Sequence, residues 1–325
     1  MNRLDTACLP YRVGGLLYMP AFQQGLAAKI ESGAMPCLTS VALCLEDSIR
    51  DDALVEAEAA LCDTLRQLCA LPGERLPLVF IRVRSPEHLL RVFDRVLPSE
   101  AAVTGFILPK FDLSNLSAYD RAIREVNAGR AAPKYIMPIL ESRAVAAAAS
   151  RARTLEEIRD ALADIRPWTL NVRVGGNDLS HLYGLRRAVD QNIYQIGVVR
   201  DILVDILNVF APEYVVSGPV WEYFGSDPDA PWARGLRAEL ALDRLNGFVG
   251  KTAIHPSQLP LIYESMQPTR ADYEDAGRVL GWRSGTLGVE KSADGSRMNE
   301  EKTHSRWAER VRVLGDLYGT REDGR

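Results

Sequence analysis

The chain predicts an α/β fold, a (β/α)8 TIM barrel with a C-terminal helical lid, and three features of the sequence predict it. Eight short apolar runs recur, at residues 16–19, 41–45, 78–83, 106–108, 135–140, 170–174, 214–216 and 248–254. They lack helical periodicity and stop at polar or glycine-rich turns, as strands buried on both faces do. Helical stretches separate most of them, and strand–helix alternation repeated eight times favours a parallel sheet closed on itself. Finally, Glu46, Arg82, Lys110, Glu141, Asp178 and His255 all stand at or just beyond the end of a run. That is the rim on which barrels build their chemistry.

The intervening segments bear this out element by element. In 52–71, Leu54, Ala57, Leu61, Leu65 and Leu68 mark one helical face. Residues 142–165 are Ala-rich and charged, a composition that forms helix well. After Pro260 the pattern changes. Residues 269–282 read as a helix with Thr269 as N-cap, 283–297 as a Gly/Ser-rich charged stretch, and 300–318 as a closing amphipathic helix. The expected division is a barrel domain over 1–262 and a helical lid segment over 263–325. So short a tail is expected to pack on the barrel or on a neighbouring subunit.

Composition narrows the class. Of 325 residues, 47% are hydrophobic and 25% charged, which allows a sizeable core. A net charge of −4 without a basic, aromatic-interleaved stripe argues against nucleic acid as partner. Five cysteines, Cys8, Cys37, Cys44, Cys62 and Cys69, form no CxxC pair, so neither a disulfide framework nor a zinc site is expected. The first residues lead into no apolar signal region, and no run approaches the ~20 apolar residues of a membrane span. A cytoplasmic protein with no membrane partner is expected.

Two of the rim residues suggest a reaction class. Glu141 closes the run in Tyr135-Ile-Met-Pro-Ile-Leu-Glu-Ser142, and Asp178 follows Asn171-Val-Arg-Val-Gly-Gly-Asn. An isolated carboxylate after a strand more often caps a helix. Two that converge at a barrel mouth make a hard oxygen site suited to Mg²⁺, whose remaining positions go to water and substrate. Gly175 and Gly176 let backbone approach a ligand closely and offer N–H donors. Lys110 and Lys251 could form a Schiff base, but an ion pair or a phosphate contact is the commoner role. His255, ahead of Pro256 in a turn, reads as a structural hydrogen-bonding group. Residues 247–252 are not a phosphate loop, because Leu245 occupies the first glycine position of that pattern.

In order along the chain, Leu17-Tyr-Met-Pro20, Leu45-Glu-Asp-Ser48, Ile81-Arg-Val83, Leu108-Pro-Lys110 and Ile139-Leu-Glu-Ser142 are followed by Gly175-Gly-Asn-Asp178, Ser217-Gly-Pro219 and Gly247-Phe-Val-Gly-Lys-Thr-Ala-Ile-His-Pro-Ser-Gln258. This ordered set resembles the HpcH/HpaI aldolase and citrate lyase β-subunit family, in its malyl-CoA lyase-like members. Residues 194–223 are similar to a lyase-like branch encoded beside bacterial tellurium-resistance and stress genes, for which no particular reaction is implied. The family resemblance implies a Mg²⁺-dependent carbon–carbon lyase or aldolase. Its substrate would be a small carboxylic acid or its coenzyme A thioester, handled through a metal-stabilised enolate. Glu141 and Asp178 match the family's metal ligands and Arg82 its substrate arginine, whose fixed fork suits a carboxylate or enolate oxygen. Glu46 and Asp47 match the acidic pair that supports metal waters and that arginine. Gly175, Gly176 and Pro219 fall with Arg82 on the substrate-binding side. A homo-oligomer, a trimer or a multiple of three, is implied as well.

The sequence departs from the family pattern twice. Cys44 stands where the family commonly has the first aspartate of Asp-Leu-Glu-Asp. Asn299, in Gly295-Ser-Arg-Met-Asn299, stands where the family's lid carries an acid–base aspartate for a neighbouring subunit's site. An amide cannot accept a proton at neutral pH. A second reading therefore stays open: a catalytically altered, lyase-like metabolite-binding protein of a stress-response system.

Overall fold

The computed structural model describes residues 7–281, 288–292 and 295–322. It divides into two compact units, residues 1–261 and 262–325.

The first unit is the barrel. Its strands are β1 (Gly15–Pro20), β2 (Ser40–Cys44), β3 (Leu78–Arg82), β4 (Gly105–Leu108), β5 (Tyr135–Leu140), β6 (Val172–Val174), β7 (Val216–Ser217) and β8 (Lys251–Ala253). Each coincides with or overlaps one of the apolar runs. Consecutive strands pair in parallel from β1 to β7, and β8 pairs with β1. The Gly218–Lys251 bridge joins β7 to β8 and closes the ring. Helices follow the strands on the outside. In Leu54–Cys69 the buried stripe holds Ala57, Leu61, Leu65 and Leu68, as the period requires.

The lumen is layered. Leu16, Ala42, Leu78, Phe80, Ile107, Met137 and Leu170 form a dry floor, covered from below by Leu9 and Val13. Above it the inward positions turn polar: Arg82 on β3, Arg173 on β6 and Thr252 on β8. A slip in register makes this possible. Thr169 pairs with Ile136, an offset of 33, whereas Arg173 pairs with Ile139, an offset of 34. One extra residue on the β6 side is a bulge, and it turns Arg173 to the face shared with Ile139.

The expected single helix over 142–165 is two. Ser142 caps Arg143–Ala146 by accepting from the Val145 amide, the backbone breaks at Ala147, and helix resumes over Arg151–Ala163. Residues 147–150 are exposed. High propensity alone does not hold a short segment helical when it has no apolar face to pack.

In the second unit, Thr269 caps Arg270–Leu280 through the Asp272 amide, and Glu301–Tyr318 forms the last helix. Ala276, Val279, Ala308 and Val311 make their shared core. Within and just after the Gly/Ser-rich charged stretch, β9 (Val289–Lys291) and β10 (Met298–Glu300) pair antiparallel. Their apolar residues Val289 and Met298 are exposed, so no buried alternation signalled them. Trp282 and the start of the 283–297 stretch lie outside the described residues.

Candidate active site

The carboxyl ends of the strands bring the rim residues together. Glu141 directly follows β5 and is 4% exposed. Its Oε1 accepts from the Lys110 amide at 2.9 Å and lies 3.7 Å from Arg82 Nη2. Lys110 makes that contact in the left-handed region, with φ of 48°, a conformation a non-glycine residue adopts only at some cost. Asp178 sits in the first turn of the Gly176–Leu182 helix. Both carboxylates line one cavity of about 220 Å³ with Asp47, Arg82, Gly175, Gly176, Tyr18, Arg173, Thr252 and others.

The glycine pair serves the geometry in a way the sequence did not show. A Cβ on Gly175 would lie 1.8 Å from Glu141 Oε2, so only glycine leaves room for that carboxylate. A Cβ on Gly176 would lie 2.7 Å from both Ile193 Cδ1 and Pro219 Cβ. Both glycines line the cavity. Pro219 packs behind Gly176, and it is the adjacent Val220 that reaches the cavity wall.

Arg82 is held by acids. Its Nη2 is 2.8 Å from Glu46 Oε2 and 3.2 Å from Asp47 Oδ2, and its Nε is buried without a protein partner among the described residues. Lys110 Nζ completes the group, 2.9 Å from Glu46 Oε1 and 3.5 Å from Asp47 Oδ1. Burial, and then hydrogen bonding to Asp47, pushes Glu46 up. Burial also acts to raise Asp47, but hydrogen bonding with Glu46 and the charges of Arg82 and Lys110 outweigh it and hold Asp47 below the usual carboxylate range. The two neighbouring carboxylates are thus shifted in opposite directions.

Glu141 is pushed up to about 8, chiefly by burial and then by the neighbouring charge of Asp178, against the pull of Arg82. A buried carboxylate pushed up in part by the charge of a second one beside the same cavity is a donor set that a divalent cation relieves. On that ground the residues fit a hard cation with oxygen ligands.

The other rim candidates are placed elsewhere. Lys251 points out of the barrel, fully buried, with Nζ 2.9 Å from Glu239 and 2.7 Å from Asp243 on the Pro231–Asn246 helix. It does not line the cavity. His255 stacks on Phe224 at 4.5 Å, and its Nδ1 lies 2.9 Å from Ser257 Oγ, a structural arrangement. Tyr18 and Arg173 were not singled out from the sequence, yet both line the cavity. The available signal was a charged residue inside a run read as buried on both faces. Asn299 lies on β10 opposite Glu290, 4% exposed.

Comparison with known proteins shows the family to which this barrel belongs. The chain belongs to the C–C bond lyase family of the TIM-barrel fold, whose model matches residues 7–320. This bears out the family read from the ordered motifs. A (3S)-malyl-CoA thioesterase from Cereibacter sphaeroides is 26% identical over 275 residues, 83% of this chain and 82% of that protein. Among solved structures, a citrate lyase from Burkholderia xenovorans LB400 superposes with a TM-score of 0.65 at 15% identity, covering 96% of this chain and 94% of that one. CitE from Mycobacterium tuberculosis, solved with magnesium, acetoacetate and coenzyme A, gives 0.59 at 24% identity, covering 94% and 99%. At these identities the structural likenesses bear on the fold, and they confirm the (β/α)8 barrel.

Proposed function

We propose that the protein is a Mg²⁺-dependent carbon–carbon lyase or aldolase. Its substrate is a small carboxylic acid or its acyl-CoA thioester, and the chemistry proceeds through an enolate. The observation that carries the reading is the buried Glu141 carboxylate beside Asp178 and Arg82 at the mouth of one cavity. Glu141 and Asp178 would hold the cation, which when bound supplies Lewis acidity to the carboxylate and carbonyl oxygens of an α-keto acid. The ligands bound in the CitE structure, magnesium, acetoacetate and coenzyme A, are in keeping with this.

The chain's own residues do the rest. Arg82, locked by Glu46 and Asp47, presents its remaining N–H groups to charge developing on the substrate, without reorganising as it forms. Lys110 neutralises the acidic pair and, through its amide, orients Glu141. Asp47 is an ionised carboxylate of the cavity wall, and the Glu46–Asp47 pair is the proton-handling group within reach. Mg²⁺-dependent exchange of pyruvate methyl protons into D2O, followed by NMR, tests the reading. Exchange that stops in Glu141→Gln supports it, and no exchange with pyruvate or with acyl-CoA donors removes it.

One observation favours the second reading, a metabolite-binding protein with altered catalysis. Asn299 occupies the expected place of the lid's acid–base aspartate, and losing a general base typically costs roughly 10²–10⁴ in rate. In that case ligand would bind with Mg²⁺ and exchange no protons.

A further inference from the structure

Arg173 is buried in the lumen, 1% exposed, and the cavity reaches it. Its Nη2 donates to Thr252 Oγ1 at 2.7 Å, while Nε and Nη1 are buried without a protein partner among the described residues. Of the other buried cations, Arg82, Arg187 and Lys251 face carboxylate (Arg82 has Glu46, Asp47 and Glu141, Arg187 has Glu239, and Lys251 has Glu239 and Asp243), and Lys134 ends on the Glu100 and Val103 carbonyls. Beside Arg173 stand Tyr18, whose hydroxyl is within hydrogen-bonding reach of the guanidinium, and Thr252, neither of them a carboxylate. Ser217, its register partner on β7, has a buried hydroxyl without a partner, and so does the amide of Asn171 two residues upstream. A buried charge left uncompensated is strongly unfavourable, and proteins keep one where something else completes it. Among the described residues Arg173 forms no ion pair with a carboxylate, and the β6 bulge turns it inward, away from the outer helices.

We infer that Arg173 recognises a second anionic end of the ligand, so that the site selects small compounds bearing two carboxylates. One carboxylate would engage the mouth at Glu141, Asp178 and Arg82, and the other would enter the lumen and accept from the unpartnered N–H groups of Arg173. The first half of this rests on the function proposed above, and the second rests on Arg173 alone. A cavity of about 220 Å³ admits a small diacid. A monocarboxylate of the same chain length leaves the guanidinium unpaired, which is how sites built around a polar group reject analogues lacking its partner.

Calorimetric titration of the full-length protein with Mg²⁺ present, using pyruvate and freshly prepared oxaloacetate, tests this, because the two differ by one carboxylate. The wild type is expected to bind oxaloacetate at least tenfold more tightly. Arg173→Met should bring the two ligands within twofold while leaving pyruvate unchanged. Its melting temperature should be at or above the wild-type value, because an uncompensated buried charge has been removed. A wild-type preference below tenfold, or one that survives in Arg173→Met, overturns the inference. So does a variant that melts lower and loses pyruvate as well, since that marks a structural arginine. Should Arg173→Met not fold, the wild-type preference and its reduction in Arg173→Lys decide. Failure of the Mg²⁺ reading shows separately, as binding indifferent to Mg²⁺ and to Glu141→Gln whatever Arg173 does.

Discussion

Glu141 is the residue on which the site's energetics turn. With its carboxyl raised from the ordinary 4.5 to about 8 by burial and Asp178, the native chain binds more protons than the unfolded chain between those values. Stability of metal-free protein should therefore fall as pH rises through that window. Urea midpoints after EDTA treatment should drop between pH 5 and 8 in the wild type, drop less in Glu141→Gln, and recover on adding Mg²⁺ at pH 8. Gly175→Ala offers a second check. Its Cβ must displace the Glu141 carboxylate, so Mg²⁺ affinity should weaken at least tenfold while circular dichroism stays native. Unchanged affinity would mean Glu141 does not hold the ion. At Arg82, the Lys variant keeps charge but not the fork, and a marked loss of affinity for pyruvate is the expected outcome.

At the scale of elements, the strands were legible because burial on both faces leaves an uninterrupted apolar run between turn residues. The rim candidates were legible for the related reason that a polar side chain closing such a run must lie at a barrel end. Arg173 stood out as a charge inside an apolar run, but its inward direction was not legible. Its direction depends on a one-residue bulge between Thr169 and Arg173, which no local pattern encodes. The break at residues 147–150 was hidden likewise, since an alanine run satisfies helix propensity whether or not anything packs on it. Lys251 shows how far a motif reaches: Gly247 to Gln258 reads as a rim segment, yet strand alternation aims Lys251 outward, between Glu239 and Asp243. Lys251→Met should destabilise the protein by roughly 3–5 kcal/mol, as losing one partner of a buried ion pair does. Chemical denaturation would measure it, and a change below about 1 kcal/mol would contradict the account.

For the whole molecule, the residues proposed to hold cation and substrate all belong to the barrel unit, and residue 299 belongs to the second. Asn299→Asp should then leave Mg²⁺ affinity unchanged. If the tail serves acid–base steps in an oligomer, the same variant should raise proton exchange on malyl-CoA-like substrates, and sedimentation should show a trimer or a multiple of three. No gain would favour the binding-protein reading. The central claim remains that Glu141 and Asp178 share one divalent ion beside Arg82. Crystals grown with Mn²⁺ in place of Mg²⁺ and with pyruvate would test it most directly, by anomalous scattering. The account predicts one strong peak within coordinating distance of both carboxylates, with pyruvate oxygens completing the shell. A cavity without a peak at saturating Mn²⁺, or a peak bound by other residues, would contradict it.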